Sequence, residues 1–273
     1  MKFSAVLAVA LLAALPAGAA SLDGTHVHGL AWDPADPGRL LVATHHGLLA
    51  LEDGELAAVS ERRDDFMGFS VHPAGGGVFL ASGHPEGGGN LGVIVSRDGG
   101  RTWEPLSPGA DGPVDFHQMD VGKADPAIMV GVFGAIQASR NGGRTWAVTG
   151  RPPAPMIGLA LSAIDSEKIY AATQAGLFES PDLGASWSKA GDTEAPVTMV
   201  TTTADGTVWA YDVQNGLTRK VPGANEFAAV GPTLADDAIL HLAVKDGEMA
   251  AATYNGAMIR STDGGRTWIP LLQ

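Results

Sequence analysis

The sequence predicts an all-β chain folded as a ring of six four-stranded units, a six-bladed β-propeller. Three observations predict it. The first is a motif that occurs four times: Ser96-Arg97-Asp98-Gly99-Gly100-Arg101-Thr102-Trp103, Ser139-Arg140-Asn141-Gly142-Gly143-Arg144-Thr145-Trp146, Ser180-Pro181-Asp182-Leu183-Gly184-Ala185-Ser186-Trp187 and Ser261-Thr262-Asp263-Gly264-Gly265-Arg266-Thr267-Trp268. The second is a wider self-similarity with a period of about 35–45 residues, the size of a four-stranded blade. The third is the balance of 37 glycines and β-branched runs against the absence of any helix-period segment.

The units follow in order. First strands open with His28-Gly29-Leu30-Ala31-Trp32, Met67-Gly68-Phe69-Ser70-Val71, His117-Gln118-Met119-Asp120-Val121 and Ile157-Gly158-Leu159-Ala160-Leu161, with weaker copies at Met199-Val200-Thr201 and Leu240-His241-Leu242. Second strands are expected at 40–43, 78–81, 128–132, 169–173, 208–211 and 249–253. A Gly-containing loop leads to a third strand that ends at the motif, or at a decayed form of it at 52–54 and 220–225. The Trp is expected to start the fourth strand and to pack between blades.

The motif has a mechanical sense. Its Asp or Asn accepts hydrogen bonds from nearby backbone N–H groups, and the glycines supply the positive φ of a tight hairpin. In this it resembles the Asp-box, or BNR repeat, of the sialidase-like propellers, in particular bacterial exported proteins labelled glycosylhydrolases. The resemblance covers residues 21–273, implies the fold, and leaves activity open, because one fold hosts many functions.

Residues 1–20 read as a signal peptide. Lys2 is their one positive charge, 3–15 is a short apolar run, and Ala17-Gly18-Ala19 resembles a cleavage site. The expected location is therefore periplasmic or secreted, and no later stretch is expected to span a membrane. With 30 Asp and Glu against 17 Lys and Arg, the net charge of −13 argues against nucleic acid as a partner. There is no Cys, which excludes disulfides and thiolate metal sites.

Topology then sorts the eight histidines. In a propeller the first strands start at one rim, called the top here. The loop between strands two and three returns to it, and the Asp-box turns lie on the opposite rim. His26, His28, His117 and His241 fall at first-strand starts, and His45, His46 and His84 in second loops. Only His72 falls toward the bottom, where it reads as structural. Met67 is equivalent to His28 and His117, Met119 lies nearby, and Asp65-Phe66-Met67 repeats as Asp115-Phe116-His117, bringing two carboxylates close. Imidazole and thioether without Cys suit copper best, with zinc as the second choice. The expected ligands are His28, His117 and Met67, with His26, His45, His46, His84 and Met119 as further candidates. The expected role is non-enzymatic metal binding, with a periplasmic or membrane protein as a possible partner.

Two alternatives stay open. The resemblance to sialidases implies three converging Arg, a Tyr nucleophile with a Glu partner and an Asp acid on the top face. Here Arg97, Arg101, Arg140, Arg144, Arg260 and Arg266 sit in or beside the boxes, on the wrong rim. Tyr254 is top-facing without identifiable partners, and Asp65, Asp115 and Glu86 carry no motif. A glycosidase or a glycan-binding protein is the first alternative. The chain also looks like the propellers that help assemble photosystem II, which implies a protein-docking role as the second.

Overall fold

The computed structural model describes Leu22 and residues 24–272; the expected signal peptide lies outside the described residues. Six antiparallel sheets of four strands follow one another along the chain, each in sequential order. Blade one is Val27–Trp32, Leu40–Thr44, Gly47–Glu52 and Glu55–Ala58. Blade two is Asp65–Val71, Phe79–His84, Val93–Ser96 and Glu104–Ser107. Blade three is Gln118–Val121, Met129–Phe133, Ala135–Ser139 and Ala147–Gly150. Blades four, five and six open with Met156–Leu161, Val197–Thr202 and Ile239–Lys245. First strands neighbour one another all the way round, and the first strand of blade one meets that of blade six. The described residues thus form a closed ring, the six-bladed propeller that the repeats predict.

The core is six wedges, one between each pair of blades. Second strands such as Leu40–Thr44 and Ile169–Thr173 are buried along their whole length, because both faces of a middle strand are covered by neighbouring blades. The wedge that closes the ring packs Leu40, Val42, Leu49 and Leu51 of blade one against Ala243, Ala250 and Met258 of blade six.

The Asp-boxes hold the bottom rim as expected. Asp98 accepts from the Thr102 backbone N–H (2.9 Å) and hydroxyl (2.6 Å), while the Ser96 hydroxyl accepts from Gly100 N–H (2.8 Å). One detail differs from the expectation. Each fourth strand begins one residue after the Trp, at Glu104, Ala147, Ser188 and Ile269. In two boxes the reason is visible: the Trp103 and Trp146 indole N–H groups donate back to the Gly100 and Gly143 carbonyls, which keeps the ring in the turn.

These bonds make the fold acid-sensitive. Hydrogen bonds from Thr102 hold the Asp98 carboxyl at about 2, and the Thr267 and Ser186 hydroxyls likewise lower Asp263 and Asp182. A carboxyl depressed on folding stabilises the folded state above its ordinary pKa, and that contribution is lost as pH falls through the folded value. The melting temperature should therefore drop between pH about 4 and about 2. Asp98→Asn, which copies the Asn141 box, should flatten that drop; an unchanged profile would refute the assignment.

Candidate metal centre at the top rim

The top rim is shaped by a recurring irregularity. In blades one, four, five and six the pairing of first with second strand skips one residue near the start, between Val27 and Gly29, Met156 and Gly158, Val197 and Met199, and Ile239 and His241. A bulge leaves one residue unpaired and re-aims its side chain. The skipped residues are His28, Ile157, Thr198 and Leu240, and all four line a cavity of about 570 Å³ at the channel mouth. His26, Met67, His117, His241 and Tyr254 share that lining. Below it the axial channel continues as a larger space of about 1010 Å³.

Two triads of side chains stand at this rim. In the first, His45 Nδ1 lies 2.7 Å from Asp65 Oδ2, and His28 Nε2 lies 3.7 Å from Asp65 Oδ1. His28 Nε2 is also 3.2 Å from both ring nitrogens of His45, in an edge-on arrangement. In the second, Asp115 Oδ2 faces two imidazoles at once, His84 Nε2 at 2.8 Å and His117 Nε2 at 2.7 Å. Within each triad the candidate ligand atoms lie within 4.8 Å of one another.

Electrostatics divides the histidines. Burial pushes His28 down to about 3, with His45, His241, His117 and His26 adding to the effect. Burial also pushes His241 down to about 4, against a hydrogen bond to the Val27 backbone. Both rings are therefore neutral near pH 7, with lone pairs available. His117 moves the other way, raised by its hydrogen bond to Asp115. His84 Nδ1–H donates to the Gly89 carbonyl (2.7 Å), which leaves Nε2 as the ligand nitrogen.

The two carboxylates are incompletely satisfied. Asp65 Oδ1 and Asp115 Oδ1 are buried with no hydrogen-bond partner among the described residues, and Asp115 as a whole is 4% exposed. Leaving such a group unpaired costs about 1–3 kcal/mol, and more when it is charged.

Against the expected ligand set, His28 and His117 do reach the rim, but in separate triads rather than together. His45 and His84 complete one triad each. Met67 lines the mouth cavity beside both. His26 is exposed, its ring 5.4 Å from that of His45, and His46 is exposed, its ring 6.5 Å away on the other side. Met119 packs in the wedge between blades two and three with Phe116, Val121 and Met129. Asp65 and Asp115 are the members that the expected set left out, although the repeated Asp-Phe-Met and Asp-Phe-His tripeptides marked them. His72 Nδ1 accepts from Ala74 N–H in a turn of the opposite rim, in line with a structural role.

A family model described as BNR/Asp-box repeat matches residues 94–105, the first of the four boxes. No curated protein matches the chain by sequence. Among solved structures the fold is similar to a GH74 xyloglucanase from Xanthomonas campestris (TM-score 0.62, 19% identity, 90% of this chain and 45% of that one). This chain thus spans under half the length of the xyloglucanase. It is similar to a gluconolactonase from the same organism (0.64, 11%, 84% and 83%) and to YCF48 from Cyanidioschyzon merolae (0.54, 19%, 90% and 84%). A YCF48 has also been solved bound to a D1 peptide. Such low identities speak to fold alone, and no helix among the described residues is long and apolar enough to cross a membrane. Fold and repeats agree: the chain is a six-bladed β-propeller whose bottom-rim turns are Asp-boxes, the first of them matched by the BNR/Asp-box repeat model.

Proposed function

We propose that this propeller is a non-enzymatic metal-binding protein that holds a divalent transition-metal ion at its top rim. The supporting observation is Asp115, a buried carboxylate with one oxygen between two imidazole nitrogens and the other without a partner. A cation seated among His84, His117 and Asp115 would relieve that oxygen and replace the proton shared along the His–Asp contacts. His28, His45 and Asp65 repeat the donor set one blade earlier. Two imidazoles and a carboxylate favour a borderline ion, and for such N/O sites affinity peaks at Cu(II), ahead of Zn(II). Met67 in the mouth adds a thioether that suits Cu(I). Copper is therefore the ion we assign first and zinc second. With residues 1–20 read as a signal peptide, the setting is the periplasm or the exterior, and a protein partner would deliver or receive the ion.

Titration of residues 21–273 with Cu(II), Zn(II) and anaerobic Cu(I) against a competing chelator tests this. Copper withdrawn from the chelator, more tightly than zinc, is the expected result. No competition by any of the three would overturn the metal reading.

One observation favours a second reading, a glycan-binding mouth. Tyr254 is 73% exposed at the lip of the cavity, on a loop fixed by bonds from Tyr254 N–H to Ala238 (2.8 Å) and from Asn255 to Asp236 and Asp237. A rigidly held, open aromatic face suits stacking against a sugar ring. Glycan-array binding lost in Tyr254→Ala would support it.

A further inference from the structure

We propose that the two triads form one coupled two-ion centre rather than two independent sites; the proposal rests on the metal reading above. Asp65 of the first triad and His84 of the second are directly opposed partners in the ladder of blade two. Opposed residues project from the same face with Cβ atoms about 4.5–5.5 Å apart. A ligand of one ion and a ligand of the other therefore start from the same rung.

The backbone keeps that rung tight. At Gly83, where φ is +123°, a Cβ would lie 1.9 Å from the Asp65 carbonyl oxygen. Met67, two residues after Asp65, lines the mouth together with His28 and His117.

The repeat gives the pair its logic. His45 and His84 both stand where a second strand meets its loop, and Asp65 and Asp115 both stand at the entrance to the next blade. Both junctions thus set a second-strand histidine against the next blade's aspartate, while the third ligand comes from the earlier blade in one triad (His28) and from the later blade in the other (His117). Each carboxylate keeps one buried oxygen without a partner, so the pair holds two free donors. Two divalent ions exceed the charge of two carboxylates by two, and the open mouth admits hydroxide or a small anion to bridge them. The chemical class of occupant is a pair of Cu(II) or Zn(II) ions.

Native mass spectrometry and frozen-solution EPR of the copper-loaded protein, residues 21–273, test the pairing. The expected result is two Cu(II) per chain and a coupled spectrum, seen as a half-field transition or, where hydroxide bridges the ions, as an integrated intensity well below two spins. His45→Gln and His84→Gln should each retain one ion with an ordinary mononuclear signal. Both side chains are partly exposed, so the propeller stays intact, as circular dichroism will verify. One ion per wild-type chain would overturn the pair and leave the metal reading standing. Two ions with uncoupled spectra would overturn the coupling. No ion at all would overturn the metal reading itself.

Discussion

Asp115→Asn should leave the propeller folded and remove the ion from the His84 and His117 side. Asp115 is almost fully buried, and it joins the two imidazoles through a single oxygen. Its other oxygen has no partner among the described residues. Removing one partner of a fully buried ion pair costs about 3–5 kcal/mol, but here the two imidazoles are 41% and 55% exposed, so water can take the place of the lost carboxylate charge. The metal-free variant should therefore melt within a few degrees of the wild-type temperature. Ion affinity should fall by at least about 100-fold, because even an outer-shell partner of a metal ligand is worth about 10–100-fold. Paired melting curves and chelator competition check this. A metal-free variant that melts far below wild type would mean that Asp115 is a structural carboxylate, with its histidines serving as its counter-ions.

Gly83→Ala should damage both fold and site. Its φ of +123° is poorly tolerated with a side chain, and the Asp65 carbonyl oxygen occupies the space that a Cβ needs. The ladder must open at the rung shared by Asp65 and His84. The expected loss is about 3–5 kcal/mol, the range of severe backbone and packing lesions. At about 2–4 °C per kcal/mol, a chain of this size should melt roughly 10 °C lower. Gly88→Ala is the control. It lies in the same loop region with φ +85° and nothing within 4 Å, so it should cost only about 1 kcal/mol. Equal effects at the two positions would show that steric closure at Gly83 is not what sets the rung.

The fold was legible because its information is local. Four boxes, each a self-contained turn of Ser, Asp or Asn, Gly and Trp, announce the strand pairs on either side, and their spacing sets the blade count. The rim was legible in part for the same reason. Topology alone sends first-strand starts and second loops to one face, which brought His28, His45, His84 and His117 into view. The sorting into triads was not legible, because it depends on contacts between blades. His45 meets Asp65 of the next blade, and His84 meets Asp115 and His117 of the next, relations that no spacing along the chain encodes. Nor were the bulges visible. His28 turns into the mouth because it is the residue that the Val27–Gly29 register skips, and Ile157, Thr198 and Leu240 join the lining of the same cavity by the same device. Nearness along the chain also misled for Met119, a further candidate because it lies close to His117: it fills a wedge of the core, whereas Met67 lines the mouth.

Crystals grown with Cu(II) and measured for anomalous scattering at the copper edge decide whether the His–Asp rim seats metal. Anomalous peaks are expected among His28, His45 and Asp65 and among His84, Asp115 and His117, within bonding distance of the ring nitrogens. A copper-saturated crystal with no peak at either triad, or with peaks only at the Asp-box rim, would contradict the metal reading.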